Sequence, residues 1–595
     1  MSSIRKIIVL LLLVVAVLHH SDAYAKRFKV KKVDITGNVA YTDKRLHRVM
    51  LSKPSVLFDP VFYYPQILKD DVASLELFYW RNGYLSAKVE DYSVRIDSSK
   101  YLVYVQILIK EGPLTTVEGI AIFGNKAFSD SVLMTFVPFK AGQPLRDYDV
   151  SDGTLAMLTH YADHGYLEAL VTPEIRVDSL EHLAQVDYFI KENAQYFIDS
   201  TLFVGLTKTR LKVVQREMVF KRGQIVNYSK LLKSQRNLYL TGLFQSSFVK
   251  PIPPLSGKPG MKDIQFELME NKSREYNFSI GYSNVEQGRI GMALYNTNWR
   301  GTAQKLGLAV KLSFIQAGVE ASFSEPWTFD TRWKTDLALG IDYLKDPAYD
   351  QKTIGGRISI GRELLHKITT NLTYRHQNVE LSNVKVEDQS AEIRSQIRSL
   401  KLTFTHDTRN NLFNPTAGEY VEQSTETAGL FRAAAESFTR VKLIARYLKT
   451  ITRGTVIGSG FELGVMSSPR GFDSIVLSER MYAGGPSSIR GLKYKGAGPL
   501  DENGLALGGG FMGVWNIVEI RQSIYKILGG VVFLDAGNVW RVASDASISS
   551  VRVTPGLGIR LDTALGLFRV DYGFNIKPRL GEPSEVLSFS VGQAF

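Results

Sequence analysis

Leu587-Ser588-Phe589-Ser590-Val591-Gly592-Gln593-Ala594-Phe595 alternates bulky apolar residues with small or polar ones, broken only by Gln593. Successive side chains of an extended chain point to opposite faces, so a period of two puts one face in an apolar medium and the other in a wet or crowded one. Left unpaired in water, such an edge recruits other strands. As a stave of a closed membrane barrel it is satisfied on both edges and both faces. The same pattern occurs at Tyr276, Phe278, Ile280 and Tyr282, which alternate with Asn277, Ser279, Gly281 and Ser283. Further runs lie at Leu306 to Leu312, Leu337 to Tyr343, Ile354 to Ile360, Val441 to Tyr447 and Phe568 to Tyr572. At roughly 20 residues per strand and connection, residues 271–595 hold about 16 antiparallel strands of an all-β transmembrane barrel, an even number as single-chain bacterial barrels have.

Composition is compatible with this reading. At 595 residues several domains are expected. A hydrophobic fraction of 44% and a mean hydropathy of -0.07 are too low for a bundle of membrane helices, whereas barrel strands alternate and build no long apolar run. The complete lack of cysteine removes disulfides, thiol catalysis and cysteine metal sites. The one long apolar run, Ile7 to Leu18, follows Arg5 and Lys6 and precedes Ala23-Tyr24-Ala25. That is the layout of a secretory signal peptide over residues 1–25, with cleavage expected after Ala25; a retained anchor helix is the alternative.

Residues 26–270 repeat a strand, helix, helix, strand, strand unit three times, over 26–113, 114–193 and 194–270. Val30 to Asn38 and Thr116 to Asn125 both end an alternating strand on Gly-Asn, a turn-forming pair. Leu75, Phe78 and Tyr79 precede Asn82-Gly83-Tyr84, as Leu155, Leu158 and Tyr161 precede His164-Gly165-Tyr166, so an apolar helical stripe stops at a glycine and a strand follows. The third unit repeats the device at Leu238 to Phe244. A period of about 80 residues suits a row of small α+β domains. These units resemble polypeptide-transport-associated (POTRA) domains. The resemblance implies two helices on a three-stranded sheet whose edges receive client strands by β-augmentation, a mode that needs only main-chain groups; simple spacers are the alternative.

Over residues 208–236 of the third unit, Lys208, Arg210, Lys212, Arg216, Lys221, Arg222, Lys230, Lys233 and Arg236 stand against the single acid Glu217. Beside a membrane, Lys212, Arg216, Lys221 and Arg222 form a candidate lipid-facing basic patch; a solvated helix face is the alternative. The segment Met481 to Gly513 contains ten glycines, far more than a hairpin turn uses. An arginine fixed there by Gly491, namely Arg490, can fold into the lumen toward Glu519 and Asp535, because a planar guanidinium binds carboxylates through parallel hydrogen bonds.

Ile489-Arg490-Gly491-Leu492 resembles the V/I-R-G-F/Y signature of the Bam/Tam-type barrel superfamily, whose sixth extracellular loop turns into the barrel. Phe533-x-Asp535-x-Gly537-x-x-Trp540, Asp407-Thr408-Arg409-Asn410-Asn411 with Phe413, Pro415 and Gly418, and Gly556-x-Gly558-x-Arg560-x-Asp562-Thr563 are similar to further family signatures. Leu492 departs from the aromatic usual after Arg-Gly. The resemblance implies a protein assembly and insertion factor of the outer membrane, with its repeats in the periplasm. Its partners would be unfolded outer-membrane or secreted proteins, outer-membrane lipids and a periplasmic or inner-membrane partner subunit, with no nucleic acid. No cofactor or metal is implied. The barrel would open laterally between seam strands carrying Tyr276, Phe278, Ile280 and Tyr282 on one side and Leu587, Phe589, Val591 and Phe595 on the other, with Ser279 facing Ser590. No Gly-x-Ser-x-Gly elbow, phosphate loop or His-Glu-x-x-His is present, so an enzyme is not expected. The alternative is a two-partner-secretion transporter exporting a dedicated client, which typically carries two repeats. Three repeats are usual in the translocation and assembly module type, five in the central assembly factor.

Overall fold

The computed structural model describes residues 28–55, 60–365, 367–386, 394–412, 414–430, 436–452, 454–525, 527–563 and 566–591. The expected cleavage site after Ala25, together with Phe413 and Phe595 of the motifs, lies outside the described residues.

The first repeat consists of β1 (Lys29–Thr36), α1 (Asp43–Leu46), α2 (Pro65–Arg81), β2 (Lys88–Asp97) and β3 (Leu102–Lys110). Its sheet runs β1-β3-β2, with β1 parallel and β2 antiparallel to the central strand. Val103, Val105, Ile107 and Ile109 bury one face of β3, against which α2 sets Leu68, Leu75 and Tyr79. The helix ends at Arg81, just before Asn82-Gly83, as its sequence predicts. The second repeat has the same order in β4 (Thr116–Phe123), α3 (Asp130–Leu133), α4 (Asp147–Asp163), β5 (Leu170–Asp178) and β6 (Leu183–Lys191), its sheet running β4-β6-β5. The third uses β7 (Phe197–Val204), α5 (Leu211–Gln215), α6 (Tyr228–Leu240), β8 (Phe244–Ile252) and β9 (Met261–Glu270), with sheet order β7-β9-β8.

One device recurs at the end of every central strand. Glu111 accepts the Ala40 amide, and Glu192 those of Lys126 and Ala127. Glu270 accepts the amides of Thr207, Lys208 and Thr209. Each carboxylate thus closes the turn after the first strand of its repeat, where amides would otherwise lack partners. Tyr79 and Tyr161 add a hydroxyl to Glu111 and Glu192; Thr207 does so for Glu270. Burial works against the Glu270 charge, but the donors of Thr207 and Thr209 outweigh it and hold the carboxyl down at about 2.

The barrel opens with β10 (Arg274–Ser283), β11 (Gln287–Trp299), β12 (Gln304–Ser313), β13 (Gln316–Thr328), β14 (Trp333–Lys345) and β15 (Asp350–Leu365). It continues through β16 (Ile368–Ser382), β17 (Arg394–Asp407), β18 (Gly418–Ala428), β19 (Thr439–Thr452) and β20 (Thr455–Ser467). It ends with β21 (Phe511–Tyr525), β22 (Leu528–Trp540), β23 (Arg552–Thr563), β24 (Gly566–Phe574) and β25 (Glu585–Val591). All neighbours are antiparallel, and β25 returns to β10, closing a ring in sequence order. The expected fold class, α+β repeats followed by a closed barrel of 16 strands, is therefore the one observed. Closure is what lets strands lie in lipid with their backbone groups paired. Most connections are short at the end where β10 begins; at the other end, residues 468–510 join β20 to β21 as loop 6.

The carboxylate clip has a measurable consequence. A depressed carboxyl stabilises the folded state above its unfolded pKa, and that stability is lost as pH falls toward 2. Glu270→Gln should expose the Thr207–Thr209 amides, raising their hydrogen exchange about tenfold at neutral pH while Lys126 and Ala127 are unchanged, equivalent to about 1.4 kcal/mol.

Candidate functional site

Loop 6 enters the lumen and places Arg490 against β21 and β22. The Arg490 side chain is 1% exposed, Glu519 3% and Asp535 0%. Nε donates to Asp535 Oδ2 at 2.7 Å and Nη2 to Oδ1 at 2.9 Å, while the Arg490 amide also reaches Oδ2 at 3.2 Å. Nη1 donates to Glu519 Oε2. The guanidinium lies over the Phe533 ring, 3.5 Å from its centroid. The predicted pair of carboxylates thus converges on the predicted arginine, and neighbours add a further donor to Asp535 Oδ1 and satisfy the other oxygen of Glu519. Asn516 Nδ2 donates to Asp535 at 2.6 Å and Arg521 Nε to Glu519 at 2.7 Å. Gly491 is required by close approach: a Cβ there would sit 2.7 Å from the Thr554 side chain on β23. A Cβ on Gly573 of β24 would meet the Arg490 carbonyl oxygen at 2.2 Å, so wall and loop are both bare where they touch. Leu492, the family departure, is buried with Ile489, Met481 and Met512 in an apolar cluster under the loop.

The Asp407 motif joins the same network from the periplasmic turn. Arg409 binds Asp407 through Nε (2.9 Å) and Nη2 (2.7 Å), and Arg521 Nη1 donates to Pro415 O at 3.1 Å. A lumenal cavity of about 490 Å³ lies beside the lock, lined by Arg409, Arg446, Glu462, Glu519, Arg521 and Arg560 among others. A second cluster, absent from the sequence expectations, holds the start of loop 6. Glu479 accepts both Arg375 Nη1 (2.9 Å) and Nη2 (3.0 Å), and Arg440 bridges Glu479 and Glu426.

At the seam, Tyr276, Phe278, Ile280 and Tyr282 are outward and exposed, as is Leu587, while Phe589 and Val591 are half-buried. The Tyr282 and Phe589 rings meet at 5.5 Å. Ser590 stands opposite Ser283, four residues along β10 from the Ser279 expected. A two-residue period cannot tell registers that differ by an even number, because each keeps the same face outward. At the seam, sequence reasoning missed Asn284, just beyond β10. Its Nδ2 donates to Leu587 O at 3.0 Å, its Oδ1 accepts the Phe589 amide at 2.7 Å, and its own amide donates to Phe589 O at 3.2 Å. A side-chain amide here takes the place of a strand backbone.

The basic patch is corrected in part. Residues 203–218 belong to the same compact unit as the barrel, and Arg216 is turned into that unit rather than toward lipid. Only 14% exposed, it lies 3.9 Å from the Glu217 carboxylate and 5.2 Å from the Trp327 ring, a cation–π distance. Trp327 Nε1 donates to Glu217 Oε1 at 2.9 Å. Around them the Arg210 amide donates to Gly301 O (2.8 Å), Asn298 Nδ2 to Thr209 Oγ1 (2.8 Å) and Lys212 Nζ to Asp330 Oδ2 (2.8 Å). Lys221 is exposed, and Arg222 donates to Asp199 at 2.9 Å.

These features define an outer-membrane barrel carrying periplasmic α/β modules, with an ion-paired loop across its lumen. Residues 298–595 match the Omp85 superfamily domain, and residues 28–112 and 115–193 match the POTRA family, described as the surface antigen variable number repeat. The chain belongs to the Omp85 superfamily. It is 25% identical over 592 residues to the outer membrane protein assembly factor BamA of Nitratidesulfovibrio vulgaris, spanning 95% of this chain and 73% of that protein. To BamA of Neisseria meningitidis it is 20% identical over 640 residues, spanning 96% and 78%. The crystal structure of BamA from Haemophilus ducreyi lacking POTRA domains 1–3 shares the fold, with a TM-score of 0.71 at 19% identity over 80% of this chain and 99% of that one.

Two outcomes test the site. Removing one partner from a buried ion pair strands the other charge, at about 3–5 kcal/mol. Arg490→Ala should therefore convert the heat-modifiable barrel to its unfolded mobility at a lower temperature on semi-native gels, with Arg490→Lys intermediate because one ammonium cannot serve both carboxylates in the plane. At the dock, burial raises the Glu217 carboxyl above the ordinary range, against the opposing pull of Arg216, Arg332 and the Trp327 donor. A raised carboxyl makes a contribution fully present below the unfolded pKa and lost as pH rises through the folded one. Trp327 fluorescence should therefore report tighter docking on acidification, and Glu217→Gln should hold the tight state at neutral pH and abolish that response.

Proposed function

We propose that this outer-membrane protein acts as the central assembly factor for barrel proteins, receiving unfolded clients on its periplasmic repeats and inserting them through the seam between β10 and β25. The observation that carries the proposal is the seam itself, bounded by small inward residues and clipped by Asn284, in a barrel whose lumen is crossed by the Arg490 lock. The BamA relatives support the central role over the module type, although three repeats are usual in the latter. Reception is supported by the outer strands of the repeat sheets. Tyr92 and Ile96 on β2, Ile175 and Val177 on β5, and Phe248 on β8 are exposed apolar residues on edge strands, where an extended client gains main-chain hydrogen bonds and shallow apolar contacts. Insertion then exchanges one strand pairing for another in lipid, so client folding supplies the driving force and no nucleotide is needed.

Depletion followed by quantitative outer-membrane proteomics tests the role. Broad loss of barrel proteins is expected; loss of only a few large clients indicates the module type, and loss of one secreted protein indicates a two-partner transporter. A Ser283→Cys/Ser590→Cys disulfide tests the route. In proteoliposomes the oxidised form should insert an unfolded barrel client at least tenfold more slowly than the reduced form.

A further inference from the structure

Lys495 lies in loop 6 close after Arg490, yet it points to a different part of the ring. Its Nζ donates to Asp346 Oδ2 at 2.6 Å and approaches the Tyr349 hydroxyl at 3.5 Å. Three tyrosine rings surround the ammonium: Tyr482 at 4.0 Å, Tyr349 at 5.2 Å and Tyr494 at 5.6 Å from their centroids. The Lys495 side chain is 13% exposed and that of Asp346 2%. Asp346 sits in the connection 346–349 between β14 and β15 and is set in advance: its amide donates to Tyr349 O at 2.8 Å and its Oδ1 accepts the Ala348 amide at 3.1 Å, leaving Oδ2 for the lysine. The backbone at Lys495 has φ +57, a left-handed conformation for which glycine or asparagine is the easier choice. A strained backbone that carries a caged cation marks a position held for its side chain.

We propose that Lys495 is a further tie of loop 6, a positioning residue that, beyond the Glu479–Arg375 pair at the start of the loop, holds the Arg490 end of it to the wall on the other side of the seam from the Arg490 lock. The ring order supplies the reason. Counting from the seam, β14 is the fifth strand on one side and β21 the fifth on the other. Loop 6 therefore connects the two wall segments that must move apart when the seam parts. With Arg490 held by Glu519 and Asp535 and Lys495 held by Asp346, the few residues between them act as a strap in tension. A lysine suits the releasable end. Its single rotatable ammonium, stabilised by ring faces and one carboxylate, lets go without stranding several directional bonds, as release of Arg490 would.

The inference rests on the proposed seam gate, and the test separates the two. In the Ser283→Cys/Ser590→Cys background, purified full-length protein in nanodiscs is oxidised and the rate of disulfide formation is followed by gel mobility. Lys495→Met, which keeps length and apolar contact with the tyrosines, should slow closure at least fivefold, Asp346→Asn should do the same, and Lys495→Arg should stay within twofold of the parent. Heat-modifiable mobility reports whether each barrel is folded, and Asp346→Asn tests the tie should Lys495→Met fail to fold. Folded Lys495→Met and Asp346→Asn variants that close at the parent rate overturn the tie. Client insertion undiminished by the oxidised disulfide overturns the gate instead, and the closure rates then still decide whether the tie exists.

Discussion

A guanidinium with almost no contact with solvent must be neutralised by its neighbours, and this requirement organises the barrel interior. Arg490 commits each of its three nitrogens to Asp535 or Glu519, and its face to Phe533. Two carboxylates against one cation leave a negative surplus, which Arg521 offsets at Glu519 while reaching the carbonyl of Pro415. The loop, two adjacent strands and a turn at the opposite end of the barrel are thereby joined through charge. None of these partners can be removed alone without leaving a buried charge unpaired, which is costlier than losing a hydrogen bond between neutral groups. The bare backbones at Gly491 and Gly573 follow from the same requirement, since the loop must lie flat on β24 for the arginine to reach β22.

The repeats use a smaller version of this logic. Glu111, Glu192 and Glu270 each fold a carboxylate back onto the turn that leaves the first strand, so the order of each sheet is reinforced by one charged acceptor. Three solutions of the same kind differ in their supporting hydroxyl: tyrosine from the long helix in the first two repeats and Thr207 in the third. In the third repeat the equivalent helix position is free of that duty, and its short helix α5 is flanked by the residues that meet the barrel turns, Arg210 and Arg216.

The barrel was legible because lipid imposes a period of two on every strand, and the repeats because each helix stops before a glycine and each strand restarts there. The lock was legible because an arginine in a glycine-rich loop that turns into the lumen needs acids as partners, and Glu519 and Asp535 lie within the next two strands. Register was not legible: Ser283 and Ser279 share a face, and nothing in the alternation distinguishes them. Arg216 was misread because a count of basic residues does not say which one has an aromatic ring and a buried acid as neighbours. Asn284 left no periodic signal, since it acts beyond the end of its strand by imitating backbone. The carboxylate clips could have been found by aligning Glu111-Gly112, Glu192-Asn193 and Glu270-Asn271 at the ends of the three units.

The position of the Asn284 clip bears on how a seam of this kind can part at all. A backbone hydrogen bond broken inside hydrocarbon leaves groups that nothing in the surroundings can satisfy, at several kcal/mol each, so pairing there can only be exchanged for another strand's pairing. Asn284 is exposed, at the end of the barrel that carries loop 6, and water can replace each of its bonds to Leu587 and Phe589 at a net cost of about 1 kcal/mol. In the proposed gate, parting begins where water substitutes for protein and proceeds inward only as fast as an incoming strand takes over the exposed edge. A side-chain clip at the wet end of that gate adds to closure through bonds that water can replace, so it contributes at rest without making opening too costly.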